Sequence, residues 1–456
     1  KRGADLFCDI IGDPPKIPGQ PDHEGLEQSL ARFALLVDEV EGTGGDRYVR
    51  FAKWLLDNRG VTPPHNDGYR QKDKPLARQV EPHGHAVMFG YLVAGAADVA
   101  RLTGYPSLEA ATGRLWASLV NTMMYLNGTM GSKNEEFGKS YDLPNDSLLG
   151  ETCAGIANLY FQQNMNLLRG DAKYAAVAET VLYNGLLGSM ALHKPEWQYF
   201  NQLDQSKGGK PVGRQNRKPD CCMGNISRTL LRLPTWIYTK SDDGVAVNQF
   251  IGGTTRLRGV GGSDVTVVQK TNYPWDGQVQ VIVRPDRPRR FAVRIRVPDR
   301  QTSRLYTPSP KVGGLEALAV NGSLVEVVLK EGYAVIEREW EDGDRIDFRV
   351  PLQVQRLHAD ERIVADRGRV ALQFGPLVYN FESVDLPPGK SLDDVALAAD
   401  APLSAEWDAS LLGGIKAIRG KFADGTPLQA VPNYARMNRS EGEGARSVVW
   451  VLEVEE

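Results

Sequence analysis

The stretch "RKPDCCMGNISR", residues 217–228, sets Cys221 beside Cys222 in a chain whose only other cysteines are Cys8 and Cys153. Adjacent cysteines are awkward disulfide partners, and four in 456 residues do not make a disulfide scaffold. Two sulfurs aimed at one target is the chemical reading. A second stretch, "EEFGKSYDLPNDSLLGETCAG" (residues 135–155), holds Glu151 and Cys153 at i and i+2. Inside a helix these would point apart; in an extended segment at a helix entrance they would share a face. With Cys221 and Cys222 they supply three thiolates and a carboxylate, a donor set that suits tetrahedral zinc. Spacing alone leaves buried, reduced thiols as the alternative. Glu135 and Glu136, taken by themselves, read as a solvated acidic pair.

The composition narrows the classes. Hydrophobic residues make up 41% and charged residues 24%, and the net charge is −3. These values are ordinary for a globular chain and leave no electrostatic footprint for nucleic acid. No apolar run approaches the length of a membrane span, so neither nucleic acid nor membrane is an expected partner. The opening "KRGADLFCDIIGD" has too short an apolar stretch for a signal peptide. The cytoplasm is therefore the expected compartment, with the periplasm or export open if a leader precedes this sequence. A homodimer is left open.

Elements must hold these residues in place, and two periodicities divide the chain. In "HAVMFGYLVAGAADVARLTG", Phe89, Leu92, Val93, Ala96 and Ala100 fall on one helical face, as do Ala178, Val181, Leu182, Gly185 and Leu186 further on. A weak repeat links "GTGGDRYVRFAKWLLDN", "LTGYPSLEAATGRLWAS" and "LRGDAKYAAVAETVLYN", with Tyr48, Leu108 and Tyr174 in equivalent places. Each unit reads as helix, Gly turn, helix, which suggests a solenoid or a closed α/α toroid. About seven helices before residue 240 are too few for a toroid of six hairpins, so part of it is expected to precede this sequence. Trp54, Trp116 and Trp236 recur with the repeat as core residues. His83 and His85, in an apolar helix, read as satisfied core histidines, and His65, His193 and His358 belong to no constellation.

After "YTKSDDG" the period becomes two: Phe291, Val293, Ile295 and Val297, then Ile346, Phe348 and Val350. Asn321-Gly322, Glu331-Gly332 and Asp342-Gly343 mark turns between strands. The expected architecture is helical over 1–240, a β-sandwich over 241–350 and a second β-sandwich over 351–444. A final strand, 445–456, is expected to return to the first sandwich. Trp275 in "NYPWDG" reads as a turn or sandwich residue, and the Asn-x-Ser/Thr triplets are discounted as chance.

The motifs "NEEFGKSYDLPNDSLLGETCAGIANLYF", "VEPHGHAV", "LYNGLL" and "CCMGN…YTKSDDGVAVNQFIG" resemble those of glycoside hydrolase family 127, the β-L-arabinofuranosidases and their relatives. The likeness runs in order through "NYPWDG", "GYAVIEREWEDGD", "ADRGRVALQFGPLVY" and "VPNYARMNR", over nearly all of residues 18–450. It implies an (α/α)6 barrel, here lacking its N-terminal part, followed by β-sandwich domains. It implies Cys221 as nucleophile and Glu135 as general acid/base. It also implies zinc held by Glu151, Cys153, Cys221 and Cys222, and sugar contacts from His23, His85, Glu179 and Tyr199. A retaining exo-hydrolase releasing β-L-arabinofuranose or a related L-furanose from a glycan is the expected function. Departures fall at "CCMGN", where the family has Cys-Cys-Pro-Pro-Asn, at Asp73 in place of a histidine and at Met88 in place of an arginine; they bear on which sugar is bound. Two other classes stand beside this one: an α/α-toroid lyase or epimerase with incidental cysteines, and a non-catalytic sugar-binding protein with a structural zinc.

Overall fold

The computed structural model describes residues 1–61, 66–205, 221–439 and 445–455. Eight α-helices lie among the described residues: α1 (Arg2–Ile10), α2 (Leu26–Glu41), α3 (Asp46–Asn58), α4 (Ala86–Thr103), α5 (Pro106–Ser118), α6 (Thr152–Arg169), α7 (Ala172–Thr180) and α8 (Cys221–Arg232). The sequence repeat is visible as three hairpins, α2–α3, α4–α5 and α6–α7. The glycine ending each first helix, Gly42, Gly104 or Gly170, has φ of 80°, 64° or 64°. That left-handed cap costs an L side chain strain and glycine nothing, which is why a Gly turn marks every unit. Tyr48, Leu108 and Tyr174 are all buried.

The inner helices exceed the one-face pattern. Every residue from Ala86 to Ala100 of α4 is buried, as is every residue from Thr152 to Asn166 of α6. These two helices lie side by side with neighbours on all faces, so small residues, Gly90 against Ala157 for example, permit close approach. By length and composition α4 is apolar enough to cross a membrane, yet 83% of it is buried inside the fold, as expected of a core helix. The helix expected to run on past Thr180 widens instead into a π turn, Val181–Leu186. His83 and His85 precede α4 rather than lying in it: His85 is its N-cap, and His83 bonds Asp73 at 2.8 Å. His65 lies outside the described residues.

Beyond residue 237 the chain is β. One sheet orders Tyr238–Ser241, Gly244–Val247, Arg289–Arg296, Tyr333–Trp340 and Val328–Lys330. The other orders Gly253–Val260, Ser263–Thr271, Gln278–Pro285, Asp344–Arg349, Glu316–Val320 and Ser323–Leu324. Phe291, Val293, Ile295, Ile346, Phe348 and Val350 share one buried core between them, as the alternation requires. Asn321-Gly322 and Glu331-Gly332 each have two consecutive positive φ angles and close tight hairpins. A third sheet of ten strands runs from Tyr306–Ser309 and Val354–Ala359 to Val451–Val454. Here the structure corrects the sequence reading: the final strand does not return to the first sandwich. Val451–Val454 inserts between Arg369–Phe374 and Ala396–Ala398, pairing antiparallel with one and parallel with the other. Each sheet offers strands with buried apolar residues, so the alternating Val451–Leu452–Glu453–Val454 had no reason of pattern to prefer one sheet over the other.

Candidate active site

Three segments build the site. Glu151 is the N-cap of α6, with ψ of 135°, and Cys153 is the second residue of the helix. The chain is therefore extended at Glu151 and helical from Thr152, the helix-entrance geometry that lets an i, i+2 pair converge. Gly150, at φ +53°, turns the chain into this position, and a Cβ there would meet the Asn201 carbonyl at 3.1 Å. Cys221 and Cys222 open α8, whose amino end favours a thiolate. The Cys153 sulfur lies 3.3 Å from that of Cys222 and 3.5 Å from that of Cys221, and the latter two are 3.9 Å apart. Glu151 Oε1 is 3.3 Å from Cys221 Sγ and 3.8 Å from Cys222 Sγ.

These separations test the zinc set. Ligands about 2.3 Å (sulfur) and 2.1 Å (oxygen) from one tetrahedral ion stand roughly 3.6–3.8 Å from each other, close to what the four side chains show. Glu151 Oε2, 4.0 Å from His85 Nε2, is buried without a hydrogen-bond partner among the described residues. The other oxygen, Oε1, is the one beside the sulfurs, and a buried carboxylate set among three sulfurs is a donor set that fits a soft, doubly charged ion. Asn225 donates from Nδ2 to Cys153 Sγ at 2.8 Å, orienting that sulfur from outside the cluster. Within the cluster, hydrogen bonds from Cys153 and Cys222 push the Cys221 thiol well down in pKa; the bond to Cys221 pushes Cys153 up, and the bonds to Cys153 and then Cys221 push Cys222 up. Negative charge thus gathers on Cys221, the exposed member of the set. Burial, reinforced by Cys221, raises Glu151 to about 8.

Glu135 is carried by a different device. It has φ +66°, the left-handed region that a branched or charged residue rarely adopts. Its carbonyl accepts from Ala86 N–H at 2.8 Å while Phe137 N–H donates to Gly84 at 3.0 Å, so residues 135–137 are laced to the entrance of α4. That lacing sets Glu135 Oε2 3.4 Å from His85 Nε2. Tyr199 donates to Glu135 Oε1 at 2.6 Å and Tyr69 donates to Oε2 at 3.2 Å. Tyr199 is held in turn by Thr152, which bonds the carbonyls of Gln198 and Tyr199. His85 accepts Met88 N–H on Nδ1, leaving Nε2 as the protonated nitrogen of the neutral ring, and burial lowers its pKa. Donor atoms of His85, Glu135 and Glu151 all fall within 4.8 Å of one another, so His85 bridges the acid and the thiolate cluster.

A cleft of about 520 Å³ opens onto this cluster, lined by Cys221, Glu151, His23, His85 and Tyr199 among others. Of the residues singled out from sequence, the structure brings together Glu151, Cys153, Cys221, Cys222, His85, Glu135, Tyr199 and His23. It corrects one. Glu179 does not reach the cleft: it is buried on α7, ion-paired with Arg296 and Arg300 of the first sandwich, and accepts from Tyr273 at 3.0 Å. The helix face carrying Glu179 is turned toward the β domain, which its sequence neighbours could not reveal. Asp73 and Met88, two of the three places of departure, also lie off the cleft lining. Sequence reasoning missed Tyr69 and Asn225; Asn225 stood within the quoted "CCMGN" motif, whereas nothing local distinguishes Tyr69.

The convergence of three sulfurs disposes of the incidental-cysteine reading. Comparison with known proteins agrees. Residues 2–235 match the β-L-arabinofuranosidase GH127 catalytic domain, 244–352 the GH127 middle domain and 354–451 the glycoside hydrolase family 127 C-terminal domain. A non-reducing end β-L-arabinofuranosidase of Bifidobacterium longum subsp. longum is 31% identical, over 97% of this chain and 73% of that protein. Two solved structures superpose with 31% identity over 99% of this chain. One is a GH127 β-arabinofuranosidase, matched over 72% of its length with a TM-score of 0.89. The other is a GH127 β-L-arabinofuranosidase from Geobacillus stearothermophilus T6, matched over 75% with a TM-score of 0.86. With the helical domain, both β domains and the thiolate cluster all in family order, the chain belongs to glycoside hydrolase family 127.

Proposed function

We propose that the chain is a retaining, exo-acting glycoside hydrolase that releases β-L-arabinofuranose or a related L-furanose from a glycan. The observation that carries this reading is the exposed Cys221 sulfur in the cleft, set among Glu151, Cys153 and Cys222, with Glu135 held close by through His85 and Tyr199. A closed structural zinc site would bury all its ligands; this one offers a sulfur to the cleft. Glu151, Cys153, Cys221 and Cys222 are the residues that would hold zinc. When bound, it supplies the positive charge that keeps the sulfurs deprotonated at neutral pH.

The chain's own residues then divide the work. His23, His85 and Tyr199 line the space above Cys221 and meet the sugar hydroxyls, the Tyr199 oxygen as an acceptor because its proton is given to Glu135. The Cys221 thiolate attacks the anomeric carbon as its bond to the leaving oxygen breaks, and Glu135 gives its proton to that oxygen. In the second step water, losing a proton to Glu135, attacks the same carbon, and the electron pair of the C–S bond returns to Cys221. Two inversions at one carbon retain the configuration. The hydrogen bonds from Tyr69 and Tyr199 hold Glu135 in one orientation through both steps.

The deciding experiment is NMR of the first-formed sugar from an aryl β-L-arabinofuranoside. A β product supports Cys221 as nucleophile, and an α product overturns it. Zinc content near one per chain, in protein purified without chelator, tests the metal assignment separately.

A further inference from the structure

The cleft continues past the catalytic cluster along α8. Arg228 and Arg232 line it, seven and eleven residues after Cys221, about two and three helical turns along the same face. Among the described residues neither forms an ion pair with a carboxylate. Arg228 donates to the Tyr91 hydroxyl at 2.7 Å, and both guanidinium groups lie over the Tyr160 ring, at 5.9 and 5.2 Å. Stacking fixes the planes of the two forks while leaving most of their N–H donors unspent. The carboxylates lining the cleft do not offset them: Glu24 is locked to the buried Arg59 at 2.7 Å, and Glu151 belongs to the thiolate cluster.

A second observation points the same way. Gln28, 6% exposed and lining the cleft from α2, has its Nε2 buried with no partner among the described residues, and the Tyr160 hydroxyl is likewise buried and unpartnered among them. Unpaired buried donors beside two uncommitted guanidinium groups describe a pocket built for an acceptor-rich, negatively charged group.

We propose that this outer half of the cleft is a subsite for an acidic sugar, a uronate whose carboxylate is held by Arg228 and Arg232 while Gln28 donates to a neighbouring oxygen. The preferred substrate is then an L-furanoside carried on an acidic glycan. The proposal rests on the glycosidase reading above for its position in the substrate, and on the arginines for its chemistry.

Calorimetric titration with digalacturonate, its methyl ester and a neutral digalactose separates the two. Digalacturonate should bind roughly tenfold more tightly than either neutral probe, as charge-assisted hydrogen bonds do. The preference should shrink at about 0.5 M salt. Arg232→Gln should cut the preference at least about fivefold, and Arg232→Lys, which keeps the charge, should restore part of it. Equal binding of acid and ester by the unaltered protein overturns the subsite. So does a preference that survives Arg228→Gln and Arg232→Gln together. Should digalacturonate bind in an arginine-dependent way while no L-arabinofuranoside, acidic or neutral, is hydrolysed, the subsite stands and the catalytic reading falls.

Discussion

On the proposed mechanism, Cys221 and Glu135 make separable contributions to catalysis. Cys221→Ser replaces a sulfur on which negative charge gathers by a hydroxyl that ionises poorly at neutral pH, and activity should fall at least about a thousandfold on every substrate. Glu135→Gln keeps the hydrogen bond from Tyr199 and removes the proton. Its loss should reach roughly 10²–10⁴-fold on sugar leaving groups and be smaller in the first step on nitrophenyl glycosides, which need no acid. A burst of nitrophenol followed by slow turnover, accelerated by azide, is the expected trace; equal losses on both substrate types would remove Glu135 from the acid role. Cys153→Ser should lower zinc affinity by an order of magnitude or more, read by competition with a chelator. Sequence spacing offered Glu151, Cys153, Cys221 and Cys222 as a donor set but left buried, reduced thiols open, because E-x-C and C-C also arise by chance; it is the fold that brings the four together. Spacing could not reach Tyr69, whose bond to Glu135 joins positions far apart in the chain.

The helical hairpins place the site, and their glycines show which local signals carry weight. Gly84 and Gly104 have nearly the same φ, 63° and 64°, but different surroundings. A Cβ on Gly104 meets nothing within 4 Å, whereas one on Gly84 would lie 2.1 Å from the Gly68 carbonyl. Gly104→Ala should therefore cost about 1 kcal/mol, the backbone strain alone. Gly84→Ala should cost several times that and, by moving His85, reduce activity as well; urea melts of the two variants make the comparison. The helical repeat, the period-two strands and the turn glycines were all legible because each follows from local backbone geometry. The partner of the last strand was not, since sheet order is decided by contacts between distant segments. An element-level pH effect follows at the α2–α3 hairpin. Arg59 is buried between Glu24 and Glu27, and burial raises Glu24 to about 8. A carboxyl raised in the folded state binds its proton more tightly there than in the unfolded chain. Its contribution is complete below the ordinary glutamate range and is lost as pH rises through 8. Glu24→Gln should flatten the decline in stability between about pH 5 and 8.

The helical domain and the first sandwich are joined by a buried charge cluster. Glu179 of α7 meets Arg296 Nη2 and Arg300 Nη1, and Arg300 also donates to the Tyr273 hydroxyl at 3.2 Å. Arg296 is wholly buried and donates from Nε to the Asn248 carbonyl at 2.6 Å, with its guanidinium over Phe250. Two guanidinium groups share one carboxylate, so the cluster depends on Glu179 more than on either arginine. Glu179→Gln keeps the shape and removes the only charge that compensates them among the described residues. Breaking a buried pair on one side costs roughly 3–5 kcal/mol, because the remaining charge stays out of water. An exposed pair of the same sandwich, Arg290 with Glu337, gives the contrast: Glu337→Gln should change stability by less than about 1 kcal/mol. Measured side by side in urea, a large fall for Glu179→Gln with zinc content and product anomer unchanged places Glu179 in the join between domains. A variant of full stability that binds sugar poorly would return it to the cleft.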